Sequence, residues 1–408
     1  MGIDSIGSVQ KKSVLSLLKG PFSKNAAGGF FQQTRYVPRE TGFPHNQVPF
    51  KKESLAMIRM RQLMTGMHGI LWLGLAVVVG IGHPVFAEDA SGDTREQDSG
   101  TVWHVRLDGT GHFTSIQEAI DQAASGDRIH IAAGTYAEDV TVHSKEGLVI
   151  TGEGMQQVIL TGKKRVGTLH IGKWPYGATN VTIQGLTVLQ HGGLGVGIFN
   201  GSGVHLKQIT VKGMVFSQQV QNVTLEECVV GESETTGIAF ADSTGTLIGN
   251  FIHHNDHGVV LGGNSAVRLE RNVITRSLFE AVQMADQSQA EIIQNTLAVN
   301  GGGVAFHDTA QADVRGNIIA QTKVAFLFAP TSKTTLAFND LYANEVSYLL
   351  DGPQPVSAQA RAGQSDVTVA PHFISPEEGD FHLQPDTPLL NLGGFSHLGA
   401  LPPVTTAP

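Results

Sequence analysis

The sequence predicts an all-β fold: a single-stranded right-handed parallel β-helix with three short strands per coil, a repeat of about 22 residues and an N-terminal capping helix. Three observations predict it. Asn250, Asn272, Asn295, Asn317 and Asn339 recur at steps of 22, 23, 22 and 22. Apolar residues hold fixed offsets from each Asn: Leu247, Leu269, Ile292, Val314 and Leu336 three before it, Ile252, Ile274, Leu297, Ile319 and Leu341 two after it. A second column of period two fills the rest of the unit, as Ile238/Phe240, Val259/Leu261, Val282/Met284, Val304/Phe306 and Phe326/Phe328. Segments this short are strands, and strands repeating in one direction pair in parallel. Parallel crossovers are right-handed as a rule.

The columns extend backward with the Asn replaced by Cys228, Ile209 and Leu186, giving eight consecutive turns. The leucine-rich repeat, which shares the V-x-L-x-x-N-x-I text, is the rival. It requires Leu eight residues before each Asn, where this chain has Asp242, Asn264, Gln287, Thr309 and Thr331. The Asn column reads as scaffold: Asn tolerates the left-handed conformation, and stacked amides bond along the axis. Arg268 facing Glu291, and Lys207 facing Glu226, read as cross-strand pairs.

A length of 408 residues with 49 Gly and a net charge of −9 fits one elongated glycine-punctuated domain and leaves no basic stripe for nucleic acid. The single Cys228 lies in an inward column, so packing is its role. Residues 1–56 show no apolar periodicity and read as an unstructured or misassigned extension. Arg59 and Arg61, the apolar run 70–81 and Val85-Phe86-Ala87 form a signal peptide over 57–87, with translation starting at Met57 or Met60. The run is too short for a stable membrane span. Residues 88–101 are a polar lead-in, 102–400 the β-helix with its end caps, and 401–408 a patternless tail.

From Val102, Thr114 or Ser115 caps a helix with the stripe Ile116, Ala119, Ile120 and Ala123, which Gly126 stops. The helix is the lid an open stack of parallel strands needs. Gly126-Asp127, Ile129-x-Ile131 and Gly134-Thr135-Tyr136 resemble the N-terminal region shared by pectinesterases, by polysaccharide lyases of the chondroitinase B and alginate lyase kind, and by many secreted right-handed (pectin lyase-like) β-helix proteins. The resemblance implies fold; the D-F-I-F-G-like stretch that carries the pectinesterase aspartate is absent. Lys173 to Tyr176 is a longer excursion from the early coils. After Leu350 the ladder stops, and the segment from Ala370 to Gly393 resembles the closing segment of such proteins and is expected to cap the far end.

In the resembled families substrate lies on the outer face of the V-x-F strand. Its outward positions here run from Ala239 to Ala329, and only Gln283 and His307 offer binding groups. A lyase needs a base and a cation, a hydrolase two carboxylates. The flanking loop is richer: His254, Asp256 and His257 are the catalytic candidates, with Arg276 of the next coil as a further substrate-binding candidate beside Gln283 and His307. Metal candidates are Glu234 of the preceding coil and the stacked carboxylates Asp286 and Asp308, about 5 Å apart, which suit a divalent cation such as calcium. Against these stand plain alternatives: an Asp at a strand end is commonly a turn former, and polar loops are commonly just solvated. The repeat also resembles periplasmic copper-binding β-helix factors of nitrous oxide reductase maturation. The expectation is therefore a secreted or periplasmic monomer that binds, and if an enzyme cleaves as a lyase or hydrolase, an extracellular polysaccharide or cell-envelope glycan; the alternatives are a structural or binding β-helix and a metal-handling factor.

Overall fold

The structure, a computed structural model, describes residues 100–163, 167–351 and 362–404. The extension, the signal peptide and the lead-in up to residue 99 lie outside the described residues, as do 352–361 and 405–408. Each coil crosses three faces. The first face is an eleven-stranded parallel sheet from Val102–Val105 to Lys333–Ala337. The second carries short strands such as Val273–Thr275, and the third strands such as Glu280–Met284. Registry is regular: Ile274 pairs with Leu297, Val282 with Val304, and Leu269 with Ile292. The chain is a right-handed parallel β-helix, its coils as the periodicities predict and its hand as the rule for parallel crossovers predicts.

Inward columns fill the core. Ile238, Phe240, Val259, Leu261, Val282, Met284, Phe306, Phe326 and Phe328 have no measurable exposure. Phe306 and Phe328 stack with ring centroids 5.5 Å apart, and Phe326 lies 6.0 Å from Tyr348 of the last coil. Burial pushes the Cys228 thiol up to about 12, which suits a packing role.

The corner between the first and second faces is wired by the Asn column. Asn295 donates its backbone N–H to Oδ1 of Asn317 (2.8 Å), and its Nδ2 reaches the same oxygen and the carbonyl of Leu269 in the preceding coil (3.0 and 2.9 Å). The pattern repeats at Asn250, Asn272 and Asn317 and ends on Asp366, whose Oδ1 accepts from Asn339 N and Nδ2. One expectation fails here. The left-handed residue is the one before each Asn: Arg271 (φ 53°), Gln294 (51°), Phe338 (55°), and glycine at 249 and 316. The amide is used for bonding alone, because a left-handed Asn would swing its side chain off the axis.

The lid helix Ile116–Gln122 is capped by Ser115, whose Oγ accepts from Glu118 N, while Glu138 accepts from Ile116 N and Gln117 N. Its chain leaves the helix at Ala123, three residues before Gly126. Asp127 collects three donors, Thr101 N, Trp103 Nε1 and Ala124 N at 2.8–2.9 Å, tying the first strand to the helix end. The Tyr136 hydroxyl donates to Ala132 O from inside the core. Asp127 and Tyr136 thus help to close the first end of the coil.

The closing segment differs from expectation. It docks on the flank: Phe381, Leu383, Leu389, Leu398 and Ala400 pack on Val273, Ala298, Ile318 and Ala320, the outward residues of the second face. Residues 401–404 join it, with Val404 N donating to Leu383 O. Asp366 and Val367, among the described residues, continue the coil at its first corner.

Candidate functional site

Register places one outward row along the third face: Thr141, His170, Gly197, Phe216, Ala239, Val260, Gln283, Ala305, Leu327 and Leu349. A second row two residues on includes His143, Phe199, Ala241, Ala285, His307 and Ala329, in keeping with the period-two pleat. The outward assignment of Gln283 and His307 holds, and the two meet: Gln283 Nε2 lies 3.4 Å from His307 Nε2. The face is nonetheless covered along its middle. Ala239, Val260, Gln283 and Ala305 are buried, Gln283 at 1% exposure with its Oε1 lacking a hydrogen-bond partner. The accessible parts of the two rows lie towards the ends, at His143, His170 and Phe199 on one side and at His307 and Leu327 on the other.

The histidine-rich segment is a tight corner. One strand ends at His253 and the next begins at His257. His254 is its left-handed residue (φ 52°), exposed, with its Nδ1 2.8 Å from that of His253. Burial and the neighbouring His254 charge hold His253 below the usual imidazole range. Asp256 is half-buried, and its backbone N–H donates to Thr235 O. His257 is fully buried, stacks on Phe279 and places Nε2 3.1 Å from Glu280 Oε2. Burial alone would raise Glu280, but the hydrogen bond and charge of His257 outweigh it and hold the carboxyl below its ordinary range.

The three catalytic candidates therefore diverge: His254 outward, Asp256 at the rim, His257 inward to Glu280. Arg276 is also drawn elsewhere, donating from Nη2 to the carbonyls of Pro376 and Glu377 and so holding the docked closing segment. Glu234 is exposed beside a corner whose ion pair joins Lys212 to Glu232. Asp286 and Asp308 do stand in register, both left-handed (58° and 51°), but their carboxylates serve the backbone: Asp308 Oδ2 accepts from Asp286 N, and Asp286 Oδ2 from Gly263 N. Among the described residues no three His, Cys, Asp or Glu side chains are grouped to hold a metal ion. The turn-former alternative accounts for both aspartates.

What reading from Ala239 onward missed is the aromatic start of the rows. His170 stacks with Phe199 (6.1 Å), Phe199 meets Phe216 edge-on (6.0 Å), and His143 approaches Tyr176 (6.4 Å). The signal was present in sequence as Phe at the outward offset of the irregular early coils.

The fold defines a right-handed parallel β-helix protein. A family model described as "Right handed beta helix region" matches residues 176–341, and one described as "Pectinesterase" matches 103–229. Among individual proteins, the chain is similar to "Probable pectinesterase/pectinesterase inhibitor 17" of Arabidopsis thaliana, 38% identical over 65 residues, which are 15% of this chain and 12% of that protein. "Probable pectinesterase/pectinesterase inhibitor 12" of the same plant is 37% identical over 87 residues, covering 20% and 16%. The chain thus spans less than a fifth of the length of these relatives. Among solved structures, pectate lyase Pel9A aligns at 12% identity with a TM-score of 0.45, over 74% of this chain and 96% of that one. PfbA, a surface adhesin of Streptococcus pneumoniae, aligns at 12% with a TM-score of 0.40, over 59% and 90%. Among the described residues no helix is long and apolar enough to cross a membrane.

Proposed function

We propose that this chain is a secreted or periplasmic polysaccharide-binding β-helix, with its mature part following Ala87, whose third outer face holds a glycan without cutting it. One observation carries the reading: the first outward row, Thr141 to Leu349, contains no Asp, Glu, Lys or Arg, and its polar members are Thr141, His170 and Gln283. Cleavage by elimination or hydrolysis needs charged groups converging on the sugar. Where the face is accessible it offers the rings of His143, His170, Phe199 and His307, which suit sugar faces and hydroxyls, where apolar contact and a few placed polar groups decide binding. The similarity of residues 103–229 to pectinesterases supports a pectin-like partner at the level of class. The test is affinity electrophoresis of the chain from Glu88 in gels of pectate, alginate or a glycosaminoglycan, beside an assay for new chain ends. Retardation without new ends is expected. Depolymerisation of any of the three, or retention by none, would overturn the reading.

A further inference from the structure

We propose that the turn Lys173-Trp174-Pro175-Tyr176 is a subsite for a carboxylated sugar, a hexuronate ring, at the aromatic end of the third face. The inference rests on the glycan-binding reading and adds a location and a charge preference to it. The turn is anchored at both stems. Gly172 N donates to Val142 O and Ser144 N to Gly177 O, each at 2.7 Å, and Lys173 N closes the turn on Tyr176 O at 2.6 Å. The two bracketing glycines have no room for a side chain: a Cβ would lie 1.8 Å from Phe199 O at Gly172 and 1.6 Å from Asn200 O at Gly177. Gly172 also adopts a left-handed φ of 82°. The excursion is therefore pressed tightly onto the next coil, and Pro175 fixes its own φ at the tip.

This anchored turn presents rings to water. Trp174 is 55% exposed and Tyr176 60%, the two most exposed aromatic side chains among the described residues. Neither packs into any of the three apolar clusters of the described residues, so their burial contributes nothing to the core. Rings held at a short, fixed turn lose little freedom on binding, and their faces suit the C–H faces of a pyranose. His143 of the preceding coil flanks Tyr176, with the rings 6.4 Å apart and tilted by 36°. Lys173 is exposed at the same turn of a chain whose net charge is −9. A neutral sugar needs only the rings; the ammonium beside them selects one that carries a carboxylate. Towards the opposite end of the face the exposed groups include the carboxylates Asp286, Asp308 and Asp351, which would repel the same anion.

The probes are alginate, the same alginate with its carboxylates reduced to alcohols, and dextran, each tested by affinity electrophoresis against the chain from Glu88. W174A/Y176A is expected to weaken alginate binding about tenfold or more, one stacked ring contributing up to that factor. K173Q is expected to weaken alginate binding several-fold, to reduce its salt dependence, and to leave binding of the carboxyl-reduced polymer unchanged. W174F/Y176F keeps the ring faces and is expected to bind nearly as the natural chain does, which separates stacking from any effect on folding. Wild-type affinity for alginate in W174A/Y176A, or equal loss with both alginate forms in K173Q, overturns the subsite while the binding face stands. Retention of none of the polymers by the natural chain overturns both.

Discussion

Two corners of each coil make the same backbone bend with different side-chain wiring. Between the first and second faces the left-handed residue is followed by an unbroken run of Asn, and every amide bonds the next. Between the second and third faces the left-handed residues are Glu232, His254, Arg276, Val299, Gln321 and Ala343, followed by Ser233, Asn255, Ser277, Asn300, Thr322 and Asn344. Here the amides occupy every other rung: Asn255, Asn300 and Asn344 each accept from the backbone N–H of the Ser or Thr one coil before, at 3.1, 2.9 and 2.9 Å. The bend itself tolerates almost any residue at its left-handed position, as His254, Arg276 and Val299 show. The buried N–H that follows it does not tolerate lack of a partner. The first corner meets that need with cooperative stacking, the second with isolated caps, so the first should be the costlier to break.

The largest effect is expected for Asn295→Leu. It removes acceptors for two donors of Asn272 and leaves the carbonyls of Leu269 and Ile293 without the amide, so a loss of about 3 kcal/mol is expected in urea unfolding. An unchanged midpoint would mean that the stack is not what holds this corner.

At the far end of the same corner Asp340 is fully buried, its Oδ1 accepting from Val369 N at 2.9 Å and its Oδ2 without a hydrogen-bond partner. Burial raises its carboxyl to about 7. The folded chain then keeps a proton that the unfolded chain loses near the ordinary carboxylate pKa. This group's contribution is fully present at low pH, declines as pH rises through the interval between the two values, and is constant above about 7. Asp340→Asn should remove a decline of about 2 kcal/mol between roughly pH 5 and 7, read as the difference between the two chains' urea midpoints, which cancels the other carboxylates. Parallel pH profiles would count against a buried ionisation there.

The contrast between the corners also explains what was legible in sequence. The first corner announced itself because one residue type solves it five times. The second was hidden because Ser, Thr and Asn share the task, and its His254 and Arg276 look like chemistry until the left-handed φ explains why a long exposed side chain is harmless there. The docking of the closing segment was readable in part: Val273-Ile274 and Ile318-Ile319-Ala320 are apolar on both sides of the strand, which marks a strand covered on both faces. The outward row of the third face followed from register alone. Its burial did not, because accessibility depends on what packs over a strand, a tertiary fact with no period of its own.

A smaller effect is expected at the second corner. Asn300→Leu deprives Ser277 N of its acceptor and the carbonyls of Ile274 and Ala298 of a donor, but no neighbouring amide depends on it. A loss of about 1–2 kcal/mol is expected, with Asn255 and Asn344 undisturbed. A loss equal to that of Asn295→Leu would erase the distinction between stacked and isolated amides.

The smallest effect belongs to the outer surface of the first face, where Arg268 contacts Glu291 of the next coil and Glu270 of its own strand at 2.8 Å. Burial works against the charged guanidinium, but the two glutamates outweigh it and hold the group above its ordinary range. The side chain is 38% exposed, so water and salt screen most of that attraction. Arg268→Ala should therefore cost about 0.5 kcal/mol at low ionic strength, fading towards nothing in molar salt. Asn295→Leu should keep its full penalty in the same salt, because its partners are amides and carbonyls buried from solvent. If the Arg268 loss exceeded the Asn300 loss and persisted in high salt, inter-coil cohesion would lie on the outer surface and not at the corners.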